Sequence, residues 1–508
     1  MGDLSAAGPA KRAGALARAG AGSLGYRPQA RRGIAQEERV RYVSTRGQAP
    51  DLAFDDVLLT GLARDGGLYV PAAWPHFGPD ALRAMRGLPY DEVAVRVMLP
   101  FLGGTIAEDR FRALVRDAYA GFAHRAVTPL VQLDQRLWVC ELFHGPTLAF
   151  KDVALQLLGR LFDHVLSRRD QRVTVVGATS GDTGSAAIEA CRDRERVDIV
   201  ILHPQGRTSP VQRRQMTTVL SPNVHNVALQ GTFDDCQDAV KALFNDQPYR
   251  DALRLSAVNS INWARIMAQI VYYVAAAVAL GAPDREVAFA VPTGNFGNVY
   301  AAYAARAMGV PVARLIVGTN SNDILARFFA SGTMQAAGVV PTISPSMDIQ
   351  ISSNFERLLF DLMDRDGAAV AASMDEFRAQ GRFAVSQGQL RRALALFEGR
   401  RCGEEETLAT MTSTWAESGY MLDPHTAVAV HAARASSLDP SIPVVALACA
   451  HPAKFPDAVE RATGVRPGLP RHLSDLFERE ERLSVLPNDL SVLKEFVRTR
   501  SRVTGAQA

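Results

Sequence analysis

Val287-Ala288-Phe289-Ala290-Val291-Pro292-Thr293-Gly294-Asn295-Phe296-Gly297-Asn298 changes its structural period part-way along. It opens on an unbroken apolar run, passes through a glycine loop, and predicts a helix from Asn298 to about Met308. An apolar run with no polar alternation suits a strand covered on both faces, as in a parallel sheet. The pattern recurs. Val173–Val176 predicts a strand, Gly177 to Gly184 a loop, and Ser185 onward a helix. Asp198–Leu202 predicts the next strand, followed by a helix from about Ser209. Leu315–Val317 and Val444–Ala448 read as further strands. Strands buried on both faces and separated by helices give an α/β fold with a doubly wound, open sheet. Ligands in such folds bind where strands end and helices begin. Three loops are therefore expected on one face, after Val176, Val291 and Ala448.

Bulk composition narrows the class. The chain has 508 residues, enough for more than one domain with its own core. It is 47% hydrophobic and 21% charged, with a net charge of +3. That charge is too small to argue for nucleic acid, and no basic stripe with interleaved aromatics accompanies it. The apolar stretch Ile266 to Ala282 is interrupted by Gln269 and reads as a buried helix, so no membrane span is expected. Cys140, Cys191, Cys236, Cys402 and Cys449 show no paired metal spacing and fit a reducing, cytoplasmic setting.

From Met1 to Ala35 the only acid is Asp3, whereas Lys11, Arg12, Arg18, Arg27, Arg31 and Arg32 are basic. Residues 1–40 read as a disordered leader or a misplaced start, with a transit peptide as the alternative. Residues 41–122 are expected to form a small α-rich N-terminal domain. Residues 123–465 form the α/β region, with two subdomains, and 466–508 a helical tail.

Of 56 basic residues only five are lysine: Lys11, Lys151, Lys241, Lys454 and Lys494. A chain that uses arginine almost everywhere prompts the question of what each lysine does that arginine cannot. Lys151 lies in the apolar window Leu148-Ala149-Phe150-Lys151-Asp152-Val153-Ala154. A desolvated lysine amine loses its proton readily and attacks carbonyls to form a Schiff base, which arginine does not do. The competing reading is a lysine whose stem covers apolar surface. The loop Thr293 to Asn298 brings free N–H groups to a helix N-terminus and suits a phosphate, although a tight turn explains the same glycines. It lacks the Walker A ending and the third glycine of a dinucleotide fingerprint. Thr179-Ser180-Gly181-Asp182-Thr183-Gly184 offers hydroxyls and N–H groups to a carboxylate, or simply caps a helix. An activated lysine, a neutral phosphate loop and a carboxylate loop together describe pyridoxal phosphate chemistry on an amino acid.

These segments resemble the threonine synthase family, in its longer bacterial and fungal branch. The resemblance rests on Arg41 to Gly47, Glu141 to Asp152, Ala178 to Gly184, Asn259 to Arg265, Pro292 to Asn298, Pro345 to Ile349 with Ser352 to Arg357, and Ala450 to Phe455. It implies the fold-type II architecture of pyridoxal phosphate enzymes. It also implies conversion of O-phospho-L-homoserine and water to L-threonine and phosphate. The cofactor is expected on Lys151, with its phosphate at Gly294, Asn295, Phe296, Gly297 and Asn298. Cys449 stands where this branch often has a threonine facing the pyridine nitrogen; a thiol is the weaker partner. Thr147, Ser180, Asp182, Thr183, Asn262, Arg265, Asn354 and Lys454 are the expected substrate contacts. Five of these, Lys454, Arg265, Asn262, Ser180 and Asn354, are the candidate donors to the leaving phosphate. His144 reads as a proton relay or as a histidine packed beside the cofactor, and Trp263, Tyr272 and Tyr273 as core. The rival activities are a related phospholyase or dehydratase giving 2-oxobutyrate, and a non-catalytic metabolite-binding protein. The chain fits a monomer or a homodimer.

Overall fold

Two separate sheets carry the apolar runs. In the computed structural model, whose described residues are 40–179, 181–257 and 260–503, the larger sheet has the order Phe397–Arg401, Val312–Thr319, Val287–Pro292, Val444–Ala448, Leu137–Glu141, Leu130–Gln132. Neighbours are parallel except at the Leu130–Gln132 edge, which is antiparallel. The smaller sheet has the order Ser484–Pro487, Val224–Gln230, Val197–Pro204, Val173–Ala178, Leu255–Ser256, and every pair is parallel. Parallel neighbours require crossovers, and helices supply them. Every residue of Val287–Pro292 and Val444–Ala448 is buried, which is why these strands read as unbroken apolar runs.

The expected doubly wound α/β fold is present, with one correction to its layout. The strand expected to end at Val176 runs on through Gly177 to Ala178 and belongs to the smaller sheet, whereas Val291 and Ala448 belong to the larger. The loops at their ends still meet, but from two sheets. The helix expected from Ser185 starts earlier, spanning Asp182–Cys191. Thr179 Oγ1 accepts the Gly181 and Gly184 N–H groups at 3.0 and 2.8 Å. That cap lets the helix begin directly after the loop.

Helix Trp263–Ala279 is the buried helix foreseen around Ile266. It packs on the helices Gly297–Ala307, Lys151–Arg168 and Tyr90–Met98. Among the described residues no helix is long and apolar enough to cross a membrane. The N-terminal region has the helices Phe54–Thr60, Tyr90–Met98 and Glu108–Tyr119, and also a ribbon of Tyr42–Ser44 against Tyr69–Pro71. The tail, expected to be helical, has the helix Leu490–Arg500 but also places Ser484–Pro487 on the edge of the smaller sheet. Four half-exposed residues ending in proline carry little strand signal, and an edge tolerates that proline. The leader expected at 1–40 lies, but for Val40, outside the described residues.

Candidate active site

Lys151 is the first residue of helix Lys151–Arg168, directly after the loop that leaves strand Leu137–Glu141. That loop is pinned to the neighbouring strand end. Ala149 bridges Ala450, and Phe150 N–H donates to the Cys449 carbonyl at 2.8 Å. Leu148 takes a left-handed φ of 61°, an uncommon conformation for a branched side chain and one found at functional sites. Lys151 is only 8% exposed. Its Nζ lies 3.4 Å from Asp182 Oδ2 and 4.9 Å from the Phe150 ring centre. Burial lowers its pKa, the Asp182 carboxylate opposes that, and the Lys454 charge adds to it.

Asp182 stands between two lysines. Lys454, 0% exposed, places Nζ 2.8 Å from Asp182 Oδ1 and 2.7 Å from the Thr147 carbonyl. Gln212 Nε2 donates to the same Oδ1 at 2.8 Å. Despite its burial, Asp182 is held well below the usual carboxylate range by Lys454 and Lys151. Two expected substrate contacts therefore have protein partners already: Asp182 is a counter-ion, and Lys454 spends two of its three N–H bonds inside the protein. Thr147 is similarly engaged, donating from its N–H and Oγ1 to Asp152 at 2.8 and 2.7 Å. Thr183 lies in the first turn of helix Asp182–Cys191, half-buried. Ser180 lies outside the described residues.

The glycine loop has the form of an anion cradle. Phe296 turns left-handed at φ 61°, and helix Gly297–Ala307 begins immediately after it. First-turn N–H groups have no partners within a helix, and its dipole adds positive potential there. Gly294 is closely covered: a Cβ there would lie 3.1 Å from the Ser346 carbonyl oxygen and 3.2 Å from Met347 Cα. Ser352 Oγ holds the Gly294 carbonyl at 2.7 Å. Ser346 N–H in turn donates to His425 Nε2 at 3.2 Å, and Asp423 fixes the other ring nitrogen at 2.9 Å. A Cβ on Gly297 would meet Asn354 Nδ2 at 3.2 Å. That buried amide nitrogen has no hydrogen-bond acceptor among the described residues. Asn295 Nδ2 reaches Ser260 Oγ at 3.2 Å.

Asn298 joins the loop to the lysine. Its Oδ1 accepts from Tyr273 at 2.8 Å and from Tyr272. Its Nδ2 thereby faces Cys449 Sγ at 3.9 Å. Cys449 is buried, and its backbone is the one that holds Phe150. Lys151, Cys449 and Asn298 are thus contiguous. Burial raises the Cys449 thiol pKa, so it stays a neutral partner. Tyr272 and Tyr273, expected as core, are buried, and they also set the amide. Gln212, Asp423 and His425 carry no motif and escape a reading of the sequence alone.

Arg265 is 3% exposed, and its Nε has no acceptor among the described residues. Burial lowers its pKa to about 10. A buried guanidinium nitrogen left unpaired is costly, which marks it as a donor for an anion. Asn262 makes contacts within the fold. It caps helix Trp263–Ala279 through Ala264 N–H and donates to the Leu58 carbonyl at 2.8 Å. Arg357, fully buried, binds Asn354 Oδ1, the Tyr69 carbonyl and the Ile261 carbonyl. Beside it Glu356 receives Thr45 Oγ1 at 2.6 Å and both Arg46 Nε and Nη2 at 3.0 Å. The early motif thus anchors the segment that carries Asn354. His144 Nε2 donates to Glu141 Oε2 at 2.7 Å, and His144 lines a cavity of about 520 Å³ with Leu148 and His451.

Pyridoxal phosphate fits this donor set. The neutralisable Lys151 amine suits its aldehyde, the glycine loop with the unpaired Asn354 amide suits its phosphate, and uncharged Cys449 suits a pyridine nitrogen. Comparison with known proteins agrees. Residues 41–119 match the family model for the threonine synthase N terminus, 122–395 that for pyridoxal-phosphate dependent enzymes, and 426–497 that for the threonine synthase C-terminal region. The chain is 58% identical to a threonine synthase of Pseudomonas aeruginosa over 459 residues, covering 90% of this chain and 98% of that one. The crystal structure of pyridoxal-phosphate-bound threonine synthase from Brucella melitensis superposes with a TM-score of 0.90 at 55% identity, covering 91% of this chain and all of that one. Yeast threonine synthase gives 0.87 at 39% identity, covering 92% and 99%. The chain belongs to the threonine synthase family of pyridoxal-phosphate-dependent enzymes.

Proposed function

We propose that this chain converts O-phospho-L-homoserine and water to L-threonine and phosphate, with Lys151 as the cofactor lysine and the base. The observation that carries the reading is the contiguity of Lys151, Cys449 and Asn298 beside a helix N-terminus. Bound there, pyridoxal phosphate supplies an electron sink for negative charge developing at the substrate Cα.

The protein's part is positioning and proton transfer. Gly294, Asn295, Phe296, Gly297 and Asn298, with Asn354, hold the cofactor phosphate. Cys449 faces the ring nitrogen. Lys151, kept basic enough by Asp182 and free enough of its proton by burial, removes the Cα proton. A second proton leaves Cβ as the γ-phosphate departs. The amine then delivers a proton to Cγ, water adds its hydroxyl at Cβ and gives its other proton to the phosphate, and Cα regains the proton it lost. Arg265 Nε, buried and without an acceptor among the described residues, is the donor for that departing phosphate. Thr183 and the N–H groups of its helix start take the substrate carboxylate. Asn262 acts indirectly, by fixing the helix that carries Arg265. In the same reading residues 41–122 brace the catalytic region 123–465. Five free, buried cysteines accord with a reducing cytoplasm.

The test is product identity. Purified protein loaded with pyridoxal phosphate and given O-phospho-L-homoserine should release threonine and phosphate in equal amounts. Release of 2-oxobutyrate instead would establish the phospholyase alternative and defeat the proposal.

A further inference from the structure

Asp182 and Lys454 form a sealed ion pair with no contact to solvent on the lysine side. Buried ion pairs are weak sources of stability, because desolvation offsets the attraction. This one is also positioned with care. Gln212 and Lys454 hold one carboxylate oxygen, Oδ1, at 2.8 Å each. Among the described residues the other oxygen, Oδ2, is left to Lys151 alone, at 3.4 Å. Lys454 is itself tethered by the Thr147 carbonyl, which lies four residues before Lys151 in the chain. Asp182 belongs to the smaller sheet's first helix, Lys151 to the larger sheet's, and Lys454 to the turn Pro452–Lys454 after strand Val444–Ala448. Three elements from two sheets converge on one carboxylate.

We propose that Asp182, fixed by Lys454, is the docking station for the Lys151 ammonium, holding it between the loss of the proton from Cα and its return to Cγ. The inference rests on the reading of Lys151 as the base. Over the whole reaction the protons balance: Cα loses one and regains one, Cβ loses one, Cγ gains one, and the water that supplies the Cβ hydroxyl gives its remaining proton to the phosphate. Lys151 takes one proton from Cα and becomes an ammonium. It donates a hydrogen bond to Asp182 Oδ2 and then gives a proton to Cγ. Asp182 stays ionised throughout because Lys454 never leaves it. Asp182 and Lys454 are thus positioning residues acting through Lys151. The charged and titratable groups facing Lys151 are Asp182, Lys454, Cys449 and Arg265, and Lys454 also faces Asp152. Asp182 favours the ammonium, and Lys454 and Arg265 disfavour it.

The test uses the holoenzyme and two near-isosteric variants, Lys454→Met and Asp182→Asn. The readouts are the visible absorption of the bound cofactor titrated against pH, and the pH profile of kcat. Removing the Lys454 charge should move both titrations to higher pH by about one unit. Removing the Asp182 charge should move both to lower pH by about one unit. kcat at neutral pH should fall about tenfold in each, with KM changing less than kcat. Lys454→Arg, which keeps the cation, should restore the wild-type titration. A purely structural pair predicts loss of folded protein without shifts of opposite sign. Shifts in the same direction, or none, in folded variants overturn the proposal, and either variant alone decides the matter because each carries its own sign. Borohydride reduction and peptide mapping separate the two readings. An adduct absent from Lys151 overturns the assignment of the base. An adduct on Lys151 with unmoved titrations overturns only the docking station.

Discussion

Gly159→Ala tests whether the two sheets must approach closely for the site to work. Gly159 lies in the helix that begins at Lys151, against the helix that begins at Asp182. A Cβ at Gly159 would stand 2.1 Å from the Ala190 carbonyl oxygen and 2.8 Å from its carbonyl carbon. A relaxed carbon–oxygen contact is about 3.3 Å, so the helices must separate by about 1.2 Å. Both neighbouring atoms are backbone, so no side chain can swing away. Overpacking of this kind costs about 1–3 kcal/mol. The same displacement moves Lys151 from Asp182, and misplacement by about 1 Å costs on the order of 100-fold in rate. The assays are urea denaturation and steady-state turnover. Wild-type stability together with wild-type kcat would refute the reasoning, since it would mean the helices are free to separate without consequence.

Other perturbations probe other contacts. Arg46→Met strips Glu356 of its bidentate partner and leaves a buried carboxylate with, among the described residues, the Thr45 hydroxyl as its one donor; about 3 kcal/mol of stability should be lost in urea denaturation. Tyr273→Phe removes one of two hydroxyls orienting Asn298, so the dissociation constant for pyridoxal phosphate should rise up to about tenfold, measured by equilibrium dialysis. Burial, and then the His144 charge, press the His451 pKa down from 6.5 to about 4. The folded protein therefore binds this proton less readily than the unfolded chain. Its contribution is whole above pH 6.5 and is lost as pH falls towards 4, up to about 3 kcal/mol. His451→Asn, which keeps an acceptor for Ala453 N–H, should flatten that stretch of the stability profile measured by denaturant midpoint.

The strands were legible because burial on both faces writes itself into sequence as runs such as Val444–Ala448. Their division between two sheets was not, since the same run suits either sheet and only long-range pairing decides. Lys151 stood out by scarcity, as an amine in an arginine-rich chain. The glycine loop stood out by its place between strand and helix. Lys454 shared the scarcity, but its place beside Asp182 depends on how the two sheets dock, which no local pattern records. Gln212, Asp423 and His425 act by contact across the fold and carry no periodicity or spacing of their own. Tyr272 and Tyr273 look like core residues because they are; the hydrogen bonds at their tips appear only once Asn298 is placed. Thr45, Arg46 and Glu356 were visible as motif residues, while their joint role as a brace required the tertiary structure.

The most direct measurement reduces the pyridoxal-phosphate-loaded protein with borohydride, digests it and locates the adduct by mass spectrometry. The added mass is expected on the peptide containing Lys151 and on no other. An adduct on the Lys454 peptide, or an unmodified Lys151 peptide in protein that has lost its visible absorption, would contradict the assignment of Lys151 as the cofactor lysine.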